Sequence, residues 1–169
     1  SIHTYTFPIL MPPLKRWDPI HLTPFAGAIE ANVSAIMSSH AVYPDLEPGI
    51  PATLSRKIMA DLLREKMHFD GLIISDDLEM GAITKERGLP EGAADAFEAG
   101  IDLLLICKNQ SHLLDSIELI RDRFIKGDIP HERFERSSER IIKYKKHFLY
   151  PPKRISLMAV KEYFGNIQA

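Results

Sequence analysis

Three short apolar runs punctuate the chain: Val33–Met37 (VSAIM), Gly71–Ile74 (GLII) and Ile101–Ile106 (IDLLLI). Each is too short for a helix, and the second and third are almost unbroken in apolar residues. That is the pattern of strands buried on both faces of a parallel sheet. Between and after them, apolar positions recur at helical spacing. Thr23-Pro24 opens a helix with Phe25, Ala28 and Ile29 on one face. Ser55 caps a second helix, carrying Ile58, Leu62 and Leu63, that ends before Phe69-Asp70-Gly71. A third covers Glu91–Ala99 and stops at Gly100, a residue suited to a helix C-terminus. A fourth starts at Ser111 and carries Leu113, Leu114, Ile117, Ile120 and Phe124 as far as Gly127. The last long one runs His131–Phe148, and a proline-interrupted tail from Pro151 ends in a short helix near Leu157–Phe164.

Strand starts near 33, 71 and 101 give one βα unit every 30 to 38 residues. Alternation of this kind predicts an α/β fold with a parallel sheet. Three strands alone leave that sheet with open edges, so either the chain carries strands that the pattern does not show or it is part of a larger barrel or sheet. The composition, 45% hydrophobic and 26% charged over 169 residues, belongs to a globular chain that buries a sizeable core. With 21 Lys plus Arg against 23 Asp plus Glu, the net charge is −2 and no basic stripe marks a nucleic-acid partner. No apolar run approaches the roughly 20 residues of a membrane span. The single cysteine, Cys107, excludes an intrachain disulfide, and its place at the end of an apolar run predicts a buried thiol. A cytoplasmic location is the expectation, although one cysteine carries no information about compartment.

Candidate chemistry lies where apolar runs stop. In Phe69–Met80 (FDGLIISDDLEM) a strand ends abruptly in Ser75-Asp76-Asp77. Carboxylates at the C-terminal end of a parallel strand stand where α/β folds and barrels place active sites, and equally where a side chain caps the next turn. Asp77 keeps that capping role open even with Asp76 catalytic. After the first strand comes Ser38–Pro44 (SSHAVYP), whose His40 has three roles open to it: binding a sugar hydroxyl, moving a proton, or packing within the loop. Downstream, Pro51–Ser55 (PATLS) reads as helix entry, with no chemistry assigned.

Taken together, IMSSHAVY, PATLS, LLREKMHFDGLIISDDLEMGAI and AFEAGIDLLLICKN resemble the C-terminal half of the catalytic barrel of family 3 glycoside hydrolases. The SDDLEMGAI form resembles the bacterial β-N-acetylhexosaminidase branch more than the β-glucosidases. The resemblance is close over Pro24–Asn109. It implies an α/β fold forming the C-terminal half of a (β/α)8 barrel over residues 1–150, followed by a tail at 151–169. It also implies a retaining hydrolase that releases β-linked N-acetylglucosamine from peptidoglycan- or chitin-derived saccharides without cofactor or metal. Asp76 matches the family's nucleophile, which forms a glycosyl-enzyme intermediate. Asp77 then supports the neighbouring loop, and His40 is carried as a substrate-binding residue. The branch's acid/base is a His two residues after an Asp; Ser1-Ile2-His3 is the nearest match, with His3 the candidate and Ser1 where the Asp should stand. The family's sugar-binding Lys-His-Phe-Pro-Gly-His segment is absent, so the expected partners are a saccharide and an N-terminal half of the same protein. Two other readings stand beside this one: a non-catalytic scaffold or sugar-binding half-barrel, and a β-glucosidase or β-xylosidase of the same family.

Overall fold

The computed structural model describes residues 21–81, 83, 88–152 and 156–165. Its centre is a parallel three-stranded sheet in the order β1 (Ala35–Met37), β4 (Leu72–Asp77), β5 (Leu103–Leu105). The three apolar runs are therefore adjacent parallel strands, with Ala35, Ile36 and Met37 beside Leu72, Ile73 and Ile74. Between β1 and β4 lies a hairpin, β2 (Val42–Tyr43) and β3 (Glu47–Pro51), that the apolar pattern does not announce. Two residues are too few to show a period, and Pro48 and Pro51 argue against a strand.

Helix α1 (Thr23–Glu30) takes Leu22 as its N-cap, so Thr23 is already inside the helix. A 3-10 turn, Ala52–Leu54, follows β3 and leads into a helix, Lys57–Lys66, wound as a π-helix. Its exit shows that winding, since Met67 N–H donates to the Leu62 carbonyl at 2.9 Å. Ser55 caps its entry as expected: the hydroxyl oxygen accepts from Ile58 N–H at 3.0 Å while donating to Glu47. Helices α2 (Leu89–Ala99), α3 (Gln110–Lys126), α4 (His131–Leu149) and α5 (Leu157–Gly165) follow. Asn109, not Ser111, caps α3; its side-chain oxygen accepts from Ser111 N–H at 3.0 Å, and Asn is as good a cap as Ser two positions on. Gly127 ends that helix at φ 83, a left-handed backbone that costs glycine nothing. Among the described residues no helix is long and apolar enough to cross a membrane.

The core sits on one face of the sheet. Along β4 burial alternates, with Ile73 and Ser75 fully buried and Leu72 and Ile74 only half-buried. Ile73 packs with Leu63, Phe69, Ala93, Ala96 and Ile101, the small residues of α2 letting that helix approach closely. Gly71 serves the same closeness: a Cβ there would meet the Phe69 ring at 2.4 Å and the Ser34 carbonyl at 2.8 Å. The opposite face is less covered, with Leu103 and Leu105 half-buried and Met37 57% exposed. Burying a side chain of this size stabilises by about 1.5–3 kcal/mol, so that face is energetically unfinished.

Candidate active site

The C-terminal end of the sheet gathers the residues that the sequence singles out. Ile74 pairs with Leu103 but Asp77 with Leu105, so three residues of β4 pass against two of β5. This irregularity falls on Ser75-Asp76-Asp77, and a bulge of this kind re-aims side chains at a strand's end. Ser75 is completely buried, and its hydroxyl oxygen takes the Leu105 N–H at 2.9 Å in place of a ladder carbonyl.

Asp76 is half-buried, and its Oδ1 accepts from Asp77 N–H at 2.8 Å. No cation pairs with it among the described residues, and Oδ2 has no hydrogen-bond partner there. Asp77 has a different surrounding. Its Oδ1 accepts from Glu79 N–H at 3.1 Å, closing the turn that follows the strand. Beside it stands Cys107, which is exposed rather than buried as the apolar run predicts, because β5 stops at Leu105 and the cysteine belongs to the loop beyond. Desolvation, then the Asp77 carboxylate, pushes the Cys107 thiol pKa up.

Glu79 ties the two loops together. Its carboxylate accepts from Lys108 N–H, from Asn109 N–H at 3.1 Å and from the His112 ring Nδ1 at 3.0 Å. Desolvation pushes the carboxyl up, yet the His112 ring and the two backbone donors outweigh it and hold Glu79 below the usual carboxylate range. Glu79 lies inside the SDDLEMGAI motif, but nothing in the sequence names its partners 29 to 33 positions away.

His40 stands three residues past β1, at the same end of the sheet as Asp76. Its Nε2 lies 3.0 Å from the Asp77 carbonyl oxygen and its Nδ1 2.9 Å from Thr53 Oγ1. Thr53 is fully buried and also touches Ser38 Oγ at 2.8 Å and the Ser39 carbonyl at 3.0 Å. Both ring nitrogens that a sugar hydroxyl would need are therefore engaged by protein. Thr53 is the residue that sequence reasoning missed; within PATLS it looks like helix entry, and only the hairpin brings it beneath His40. His3 lies outside the described residues, as does the Ser1-Ile2-His3 segment.

A parallel α/β sheet with an unpaired carboxylate at the C-terminal end of its central strand has the layout of a barrel enzyme site. Residues 4–144 match the model described as "Glycosyl hydrolase family 3 N terminal domain", and the chain belongs to that family. Among curated relatives, a Beta-hexosaminidase of Nitrosomonas eutropha is 40% identical over 88 residues, covering 52% of this chain and 25% of that protein. A Beta-hexosaminidase of Tolumonas auensis is 40% identical over 101 residues, covering 57% and 30%. The family 3 β-N-acetylglucosaminidase of Paenibacillus sp. str. FPU-7 superposes with a TM-score of 0.78 at 31% identity, covering 89% of this chain and 31% of that one. The β-N-acetylglucosaminidase of Thermotoga maritima gives a TM-score of 0.71, also at 31% identity, covering 79% and 30%. The matched stretch thus spans about a quarter to a third of each of these relatives.

Proposed function

We propose that this chain is the nucleophile-bearing part of a retaining β-N-acetylhexosaminidase, with Asp76 as the attacking carboxylate. The observation that carries this reading is Asp76 itself: half-buried, within the strand-end irregularity and, among the described residues, held through one oxygen only. An ionised carboxylate so held has one oxygen fixed by a backbone N–H and the other free to attack. It adds to the anomeric carbon as the glycosidic C–O bond breaks, and the leaving oxygen takes a proton from a general acid. Water then cleaves the resulting ester with the same group acting as base, which returns the Asp76 carboxylate. His3 is the candidate for that second role. Asp77, occupied by the Glu79 N–H, shapes the turn instead of reacting.

The expected substrate is a β-linked N-acetylglucosaminide, the chemistry named for the Paenibacillus and Thermotoga maritima structures. The half-covered face of the sheet and the greater length of the relatives support a further element of the reading. An upstream half of the same protein closes the barrel over Met37, Leu72, Ile74, Leu103 and Leu105. The test is hydrolysis of an aryl β-N-acetylglucosaminide by the full protein and by its Asp76→Ala variant. The variant should lose at least about 10⁴-fold in kcat, because removal of a covalent nucleophile closes the whole displacement route. A loss of only a few-fold with the fold intact would overturn the assignment.

A further inference from the structure

We propose that His40 is a positioning residue for the nucleophile, acting through the backbone of Asp77; the inference rests on Asp76 being that nucleophile. Both ring nitrogens face protein groups. A carbonyl oxygen cannot donate, so at 3.0 Å from the Asp77 carbonyl His40 Nε2 carries the hydrogen. The ring Nδ1 lies 2.9 Å from Thr53 Oγ1, a hydroxyl that donates to the Ser39 carbonyl at 3.0 Å and lies 2.8 Å from the Ser38 hydroxyl. The Ser39 carbonyl also accepts the Thr53 backbone N–H at 3.2 Å. Ser38, Thr53, His40 and Asp77 are thus linked in one hydrogen-bonded chain that starts from two buried residues, Ser38 and Thr53. An arrangement of this kind holds a ring in one tautomer and one orientation.

What the ring holds is the Asp77–Leu78 peptide, one unit beyond the peptide that carries the Asp77 N–H. The Asp77 carbonyl accepts from His40 and from Met80 N–H at 3.1 Å, and the same peptide's Leu78 N–H donates to the Leu105 carbonyl at 2.9 Å. Pinning that peptide to the His40 loop and to β5 restrains Asp77 on its carbonyl side, and through the residue's backbone it limits where the Asp77 N–H of the preceding peptide can point. That N–H is the bond on Asp76 Oδ1. A strand bearing an irregularity at this point lacks the regular ladder that would otherwise fix it, and His40 supplies the missing restraint across 37 positions of sequence. The ring touches no substrate in this account. Its effect is on the geometry of attack, where displacement of the nucleophile by about 1 Å costs on the order of 100-fold in rate.

The experiment uses three variants of the full protein and separate determination of kcat and KM on an aryl β-N-acetylglucosaminide. His40→Gln keeps an amide N–H that reaches the Asp77 carbonyl. His40→Asn reaches only toward Thr53, and His40→Ala reaches neither. The expected result is a fall in kcat of about 10- to 100-fold for Asn and Ala with KM changed less than about twofold, and substantial recovery of kcat by Gln. Should Ala unfold the protein, the Gln and Asn pair, confirmed folded by circular dichroism, decides. Three results would overturn the proposal: a raised KM with kcat kept, which marks direct sugar contact; kcat unchanged in all folded variants; or Gln as impaired as Asn. Failure of the underlying reading is separate, since it shows as activity retained by Asp76→Ala.

Discussion

The two ends of the central sheet treat aspartate in opposite ways. At the N-terminal end Asp102, just before β5, has a fully buried side chain approached by three guanidinium groups. Arg64 pairs with its Oδ2, Arg140 reaches its Oδ1 at 3.2 Å and Arg133 stands at 3.7 Å. The Ile73 N–H at 3.0 Å and the Ser137 hydroxyl at 2.7 Å complete its shell. At the C-terminal end Asp76 has one backbone N–H and, among the described residues, no cation. A carboxylate with every lone pair spent on charge-assisted bonds has nothing left to react with. One with a free oxygen at a strand's open end is structurally underused and chemically available. The difference separates a residue that holds the sheet to its helices from the one proposed as the nucleophile.

The cluster around Asp102 is over-supplied with positive charge. Burial pushes the Arg133 guanidinium down to about 10; the Asp102 charge opposes this, and Arg140 and Arg64 add to it. Arg133 is retained there by directional bonds, to the Phe97 carbonyl at 2.9 Å and the Ile101 carbonyl at 2.6 Å. Arg64 likewise holds the Phe69 carbonyl at 2.8 Å. The arginines thus knit the π-helix and α4 to the start of the sheet, with Asp102 as their buried counter-charge and the exposed Asp70 carboxylate 3.8 Å from Arg140.

The comparison breaks most sharply by swapping the same substitution between the two ends. Asp102→Asn removes the buried counter-charge that three guanidinium groups share, and should cost about 3–5 kcal/mol of stability in denaturant unfolding of the full protein. An effect below about 1 kcal/mol, the scale of surface pairs, would show that the cluster is not what holds this end. A smaller effect is expected at Glu79, which joins the β4 and β5 loops. Its folded carboxyl lies below the usual range, so its stabilisation is complete above the unfolded value and is lost as pH falls through the folded one. Acid unfolding compared between the wild type and Glu79→Gln should therefore show a gap at neutral pH that shrinks below about pH 4. A gap independent of pH would contradict an ionised Glu79 as the tie.

Much of the scaffold was legible because it rests on local pattern. The three apolar runs became β1, β4 and β5, and Gly127 closed α3 where helical spacing ran out. The strand-end position of Asp76 and the turn-closing side chain of Asp77 are likewise short-range facts. What was not legible depends on contacts between distant segments. Thr53 meets His40 only because the β2–β3 hairpin folds PATLS back beneath the loop, and that hairpin has no usable period. Arg133 and Arg140 stand seven apart on one face of α4, but nothing in the sequence ties that face to residues 64 and 102. Cys107 was misplaced for a related reason: the apolar run outlasts the strand, and although Ile106 still packs against the core, the next residue already lies exposed in the loop.

The central claim is that Asp76 forms a covalent bond to the sugar, and trapping that bond tests it most directly. A fluorinated N-acetylglucosaminyl donor with a good leaving group is glycosylated onto the nucleophile faster than it is released, because the fluorine destabilises the oxocarbenium-like transition states of both steps. Incubation of the full protein with such a donor, followed by proteolysis and fragment mass analysis, should place one sugar on the peptide containing Ser75-Asp76-Asp77, at Asp76. Label on Asp77 or on another carboxylate, or turnover of the unfluorinated substrate with no labelled peptide, would contradict it.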